Sequence, residues 1–287
     1  MFDTFLPNLL NGIAYGMVLF LIAAGLSLIL GVMGIVNLAH GAVFVAGGLL
    51  GLNVAHWTNS FLLGTLACAA LSGGIGVLIE RAFLSRLYKQ DLQQILVTFG
   101  FVYIIGNLLL WIWGPVPKAA FVPSYLSGSV VVGGLSIPAH RFAVIAIGAV
   151  ICLVLWWLQD RTRIGAIIRA GMDDAEMVSG LGINLAPLNT AVFFFGSFVA
   201  GAGAVIGAQL FGSLTFDDGF EMLLVSITVI VIGGVGNVQG TLAGALVIGL
   251  IDTFGRVHFP EFAQYTIYLA LIVILLAKPS GLFGRKL

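Results

Sequence analysis

The stretch RTRIGAIIRAGMDDAEMVSGLGIN, Arg161 to Asn184, is the one charged, helix-like segment in a chain that is otherwise almost continuously apolar. Its spacing predicts a short amphipathic helix. Arg169, Asp173 and Glu176 fall at i, i+4 and i+7 and share one face, with Arg169 in pairing reach of Asp173. Ile168, Met172 and Ala175 repeat the spacing on a neighbouring apolar face. Gly180 and Gly182 supply a stop signal, and Pro187 lies just beyond. Long hydrophobic segments flank the stretch on both sides, so contact with a water-soluble partner is expected here. A plain solvated helix between two spans would show the same periodicity.

The flanking composition sets the environment. Hydrophobic residues make up 60% of the chain and charged residues 8%, with a mean hydropathy of +1.13. A soluble domain carries about 25% charged residues, so this chain belongs in lipid. One helix needs roughly 20 apolar residues to cross about 30 Å of hydrocarbon. The chain therefore has room for roughly eight to ten crossings joined by short loops. Its 39 glycines suit helices packed closely in a bilayer. A net charge of zero argues against a nucleic-acid partner. Cys68 and Cys152 sit in apolar runs and read as small packing residues. The N-terminal segment lacks a basic n-region, so the first apolar run is expected to be retained as a span.

Outward from the charged stretch, Phe142 to Leu158 leads in and Leu188 to Leu210 leads out. Earlier spans are read at Leu9–Leu30, Gly41–Ala55, Phe61–Ile79 and Gln94–Trp113. Later come Met222–Ile232 and Thr241–Phe254, each short for a full span and readable as two short helices or as one hairpin that does not fully cross, and then Tyr265–Ala277. Arg81, Arg86 and Lys89 fall on the same side as Arg161, Arg163 and Arg169, and as Lys278, Arg285 and Lys286. Basic loops mark the cytoplasmic side. This predicts an N-terminus outside, a C-terminus inside and about nine crossings. Residues 114–141, with prolines 115, 117, 123 and 138 and the run SVVVGGLSIP, read as an outer loop with a small β-hairpin. The fold class is thus an all-α polytopic membrane protein of about 8–9 helices.

Two glycine-rich breaks interrupt the apolar pattern. GVMGIVNLAHG, Gly31 to Gly41, holds Asn37 and His40. GGVGNVQG, Gly233 to Gly240, holds Gly234 and Asn237. Broken, polar backbone at membrane depth is tolerated only where protein encloses it or water lines it. Asn37, His40, Gly41, Gly233, Gly234 and Asn237 are therefore expected to line a translocation path or gate. For the first break, a tight cytoplasmic turn with His40 capping a helix end is the alternative. The breaks occupy comparable places in the two halves, as in internally repeated transporters.

Absent motifs narrow the chemistry. The sequence holds no H-E-x-x-H, no G-x-S-x-G and no P-loop, so neither a hydrolase nor an ATP site is expected in it. Asp252 is the one acid well inside a span, and Glu80 is expected to form an ion pair at a helix end beside Arg81. A path lined by Gly, Ala, Asn and aliphatic groups suits a solute with apolar bulk better than a bare ion.

The blocks GLSLILGVMGIVNLAHG (25–41), IERAFLSRLYKQDLQQILVTFGF (79–101), the charged stretch, IGGVGNVQGTLAGALVIG (232–249) and the C-terminal KPSGLFGRK resemble the LivH-type permeases of branched-chain amino acid ABC importers. They run in the family's order from about Asn8 onward. The resemblance implies a single permease domain over residues 1–287 of a bacterial inner membrane. Its implied partners are a LivM-like second permease, two cytoplasmic ATPases that bind ATP and Mg, and an extracytoplasmic solute-binding protein. Residues 159–187 would be the cytoplasmic coupling segment and 114–141 the extracytoplasmic loop. Arg169, Ala170, Asp174, Ala175 and Gly182 occupy recurrent positions of the family's coupling pattern. The apolar face of the segment would then seat in the ATPase while its charged face orients it. Two features depart from the pattern. Ala42 stands where many relatives carry an acid, and the outer loop shows no matching block. Relatives also move urea, amides or aromatic acids, and a stand-alone channel or carrier is the reading of a different class.

Overall fold

The computed structural model describes residues 2–88 and 90–283; Lys89, Arg285 and Lys286, used above to place the faces, lie outside the described residues. The spans form largely where apolar length predicted them. They are α1 (Phe2–Met33), α2 (His40–Thr58), α3 (Phe61–Ala82), α4 (Asp91–Trp113), α5 (Ala139–Arg161), α8 (Ala186–Phe211), α10 (Val238–His258) and α11 (Ala263–Ala277). Between α5 and α8 lie two short helices, α6 (Arg163–Asp173) and α7 (Ala175–Gly180), and before α10 lies α9 (Asp218–Gly233). Among the described residues, eight helices are long and apolar enough to cross a membrane.

Local chemistry fixes the turns. Asn59 adopts a left-handed φ of 50° that ends α2, a conformation Asn tolerates better than most residues. Ser60 then caps α3, its hydroxyl accepting from the Leu63 N–H at 3.3 Å. In the outer loop, β2 (Ser129–Val132) and β3 (Leu135–Pro138) form the expected antiparallel hairpin. Gly133 and Gly134 carry its turn at φ 60° and 85°, which a tight two-residue hairpin turn requires. A second small pairing joins β1 (Lys118–Ala119) to β4 (Ser213–Leu214) and ties the outer loop to the end of α8.

Helices α1, α2 and α8 form the centre, with α3, α9 and α10 packed on them. The α8 span is 78% buried, whereas that of α11 is 6% buried and is left facing outward. Small residues allow the central approach. A Cβ at Gly25 of α1 would collide with the carbonyl of Gly196 in α8, so the two backbones meet without side chains between them.

The helix ends segregate onto two faces. Asn11, Tyr15, Arg141, Glu221 and Asp252 share one cleft, while Gly31, Gln159, Met172, Gly236 and Phe283 share another. The first lies on the face where α1 begins and the second on the face where it ends. Helix α9 has 16 residues, about 24 Å of rise, which falls short of a full hydrocarbon crossing. Its first turns line the first cleft through Asp218, Glu221 and Met222, and residues 212–237 as a whole carry the chain to the other face. The start of α1 and the segment after α11, through Phe283, therefore lie on opposite faces.

Candidate translocation and coupling sites

The charged stretch folds differently from the expected single helix. Asp174 takes an extended conformation, φ −158° and ψ 96°, which ends α6 and starts α7. Its carboxylate accepts from the N–H groups of Glu176 at 3.0 Å and Met177 at 2.9 Å. An aspartate at this position satisfies backbone donors that a helix start leaves free. Glu176 thus does not share a continuous helical face with Arg169 and Asp173. Gly182, at φ +84°, makes the turn after α7.

The apolar face also points elsewhere than expected. Ile168 packs on the hydrophobic core, and the Met172 methyl lies against Gly31 and Gly236. This face seats α6 on its own bundle. The surface left for a partner carries exposed Ile164, Met177 and Leu181, together with exposed Asp173, Asp174, Ala175 and Glu176. Ala170 is half-buried between the two surfaces.

Arg169 connects the segment to the membrane helices. Its guanidinium donates to the backbone carbonyl of Gln159 and lies 3.6 Å from the Asp160 carboxylate. Arg169 is thus tied to the end of α5. The Gln159 side chain continues the connection. It donates to the Gly236 carbonyl at 2.6 Å and accepts from the Val238 N–H at 3.1 Å. Ser27 of α1 accepts from the Gly236 N–H at 2.9 Å and is bonded by Thr241 at 3.1 Å. Asn237 caps α10 through the N–H groups of Gln239 and Gly240.

The second break is therefore a pinned turn. Gly234 and Gly236 take φ of +104° and +73°, and Gly233 backs directly onto Gly240. Arg169, Asp173 and Asn237 all line one cavity of about 400 Å³. Ser27 and Gln159, which do the pinning, escaped the sequence reading: a lone Ser or Gln within an apolar run carries no periodic signal.

The first break lies apart from this cavity. Asn37 and His40 are 1% and 0% exposed, so this is not a solvated surface turn. The His40 Nε2 lies 3.1 Å from the carbonyl of Ile22, midway along α1. Asn37 Oδ1 and His40 Nδ1 are buried without a hydrogen-bond partner among the described residues. Gly41 meets the backbone of Gly219 in the first turn of α9. Ala42 borders a small void of about 20 Å³ with Leu38, Val102, Phe216 and Leu223. The lining at that position is apolar, in keeping with the missing acid.

On the opposite face, Asp252 lies 3% exposed and its Oδ2 takes the Arg256 Nε at 2.7 Å. It borders a cleft of about 440 Å³ whose other polar walls come from α1, α5, the α8–α9 connection, α9 and α10 itself. Glu80 is held by the Tyr88 hydroxyl at 2.5 Å and by Thr190 at 2.8 Å, so its described partners lie across a turn and on α8. Burial and the adjoining Glu80 carboxylate raise the Tyr88 phenol above its ordinary range.

Residues 8–277 match the family described as branched-chain amino acid transport system / permease component. The chain is 27% identical to the high-affinity branched-chain amino acid transport system permease protein BraD of Pseudomonas aeruginosa, over 98% of this chain and 96% of that protein. It is 26% identical to the permease protein LivH of Escherichia coli, with the same coverage. Among solved structures, a metal-chelate type ABC transporter in an inward-facing conformation is similar, with a TM-score of 0.52 and 20% identity over 96% of this chain and 87% of that one. At that identity the likeness speaks to the fold alone.

Proposed function

We propose that this chain, a member of the branched-chain amino acid transport system / permease component family, is a membrane-spanning subunit of an ATP-driven importer for branched-chain or other hydrophobic amino acids. A second, LivM-like permease would complete the path in a bacterial inner membrane. Two ATPases would dock on the face bearing α6 and α7 and bind ATP and Mg there. A solute-binding protein would deliver solute to the face bearing the hairpin.

The continuous connection from α6 through Arg169 and Gln159 to the turn between α9 and α10 carries this reading. A push on the exposed side of α6–α7 has a rigid route into two membrane helices. Packed elements with two discrete arrangements transmit such a push as movement rather than deformation. Around the first break, His40 and Gly41 join α1, α2 and the start of α9 at buried depth, and these residues form the gate that α9 moves against. Asn37, Gly233, Gly234 and Asn237 complete the path-lining set in this reading.

The test is purification of the assembly from native membrane in mild detergent, followed by reconstitution with its binding protein. Recovery of an ATPase and a second permease, with leucine uptake that requires ATP, is the expected result. Solute flux through the chain alone, or uptake without ATP, would overturn the proposal in favour of a channel or carrier.

A further inference from the structure

We infer that the cleft on the N-terminal face is a binding site for the head group of an α-amino acid, formed within the permease itself. The inference rests on the reading that the solute is a branched-chain amino acid. The cleft measures about 440 Å³, a size typical of small-molecule sites. It reaches well into the bundle, since Tyr15 lies far along α1 and Asp252 more than a turn before the end of α10. An ionisable side chain at such depth marks a pathway or a ligand.

Its lining carries both signs of charge. Arg141 and Arg256 face Asp218, Glu221 and Asp252. Asp218 is engaged by the Thr215 N–H at 2.6 Å. Asp252 gives one oxygen to Arg256, while its Oδ1 is buried with no hydrogen-bond partner among the described residues. The Asn11 Oδ1 on the same wall is in the same condition. Two acceptors without donors suit a group that only donates, and an ammonium presents N–H donors and no acceptor. Arg141 offers the fork that matches a carboxylate. Leu210, Phe211 and Met222 supply an apolar wall for the side chain. The three features together fit a zwitterion with an aliphatic tail better than a bare cation or anion, each of which would leave one sign unmatched.

The test uses the complete membrane assembly in nanodiscs, without its binding protein, and photo-leucine, a diazirine amino acid, as probe. Labelling is expected on the segments bearing Leu210, Phe211 and Met222. Leucine should compete, and 4-methylpentanoate and 3-methylbutylamine, which lack the ammonium and the carboxylate, should compete about tenfold more weakly or worse. Asp252→Asn should reduce labelling by a similar factor. Because that change also leaves Arg256 without its partner, Arg141→Gln is the second variant. It should abolish discrimination against 3-methylbutylamine and leave discrimination against 4-methylpentanoate intact. Equal competition by all three compounds, or labelling outside the cleft, would overturn the inference. Normal ATP-driven leucine uptake with an unlabelled cleft would overturn this site alone. Failure of the wild-type assembly to take up any branched-chain amino acid would overturn the solute reading and the site with it.

Discussion

The Gln159 side chain satisfies two buried backbone groups at once, the Gly236 carbonyl and the Val238 N–H. Its own carbonyl receives Arg169. Gln159→Ala would orphan both groups, at a cost on the order of 1–3 kcal/mol each where water cannot reach them. The expected outcome is a lower melting temperature in detergent and, at permissive temperature, ATP hydrolysis with reduced uptake. Unchanged uptake per ATP would show that the turn needs no tether. Arg169→Glu separates stability from coupling. The Arg169–Asp160 pair is more than a third exposed on both sides, and such pairs contribute about 0–1 kcal/mol. Reversal of the charge should therefore leave insertion and thermal stability nearly intact while uptake falls far more than ATPase activity. A proportional fall in both activities would count against a coupling role. Ser27 and Gln159 were invisible in the sequence because their partners lie in distant segments, and nothing local distinguishes them from ordinary polar residues in a span.

At the scale of elements, the break between α6 and α7 depends on one carboxylate. Asp174→Ala should fray α7 at a cost of about 0.5–2 kcal/mol, whereas Asp174→Asn or Asp174→Ser should restore the cap. Coupled uptake is expected to follow the cap, lost in Ala and recovered in Asn or Ser. Recovery absent in both caps would mean that the negative charge itself is what a partner reads. The periodicity of residues 161–184 located the segment correctly but could not show this break, because Asp also occurs in a first helical turn. Nor could it show which body the apolar face meets. The approach of α2 to α9 offers a second element-scale test. A side chain at Gly41 has no space before the Gly219 backbone, and overpacking a tight contact costs about 1–3 kcal/mol. Gly41→Ala should reduce uptake in protein that still assembles, and Gly41→Leu should abolish it. Full uptake by Gly41→Leu would remove the first break from the gate.

For the whole molecule, the spans were legible because length and apolarity alone define them, and the hairpin because SVVVGGLSIP alternates around two glycines. The clefts were not legible, since Asn11, Arg141, Glu221 and Asp252 come from four helices and meet only in the fold. The placement of the faces can be argued from charge. Among the described residues, Arg81, Arg86, Arg161, Arg163, Arg169 and Lys278 attend the face of α6 and α7, whereas Lys118, Arg141 and Arg256 attend the other. Basic residues near span ends favour the cytoplasmic side. The face of α6 and α7 should therefore be cytoplasmic and the hairpin outside. Ser127 and Ser179 are exposed on opposite faces, and each can be replaced by cysteine. The native Cys68 is buried and gives little background, and Cys152 can be removed. In intact cells an impermeant maleimide should label Ser127→Cys and spare Ser179→Cys, and in inside-out vesicles the pattern should invert. The opposite pattern would place α6 and α7 outside the cell, where no ATPase could reach them, and the importer reading would fall with it.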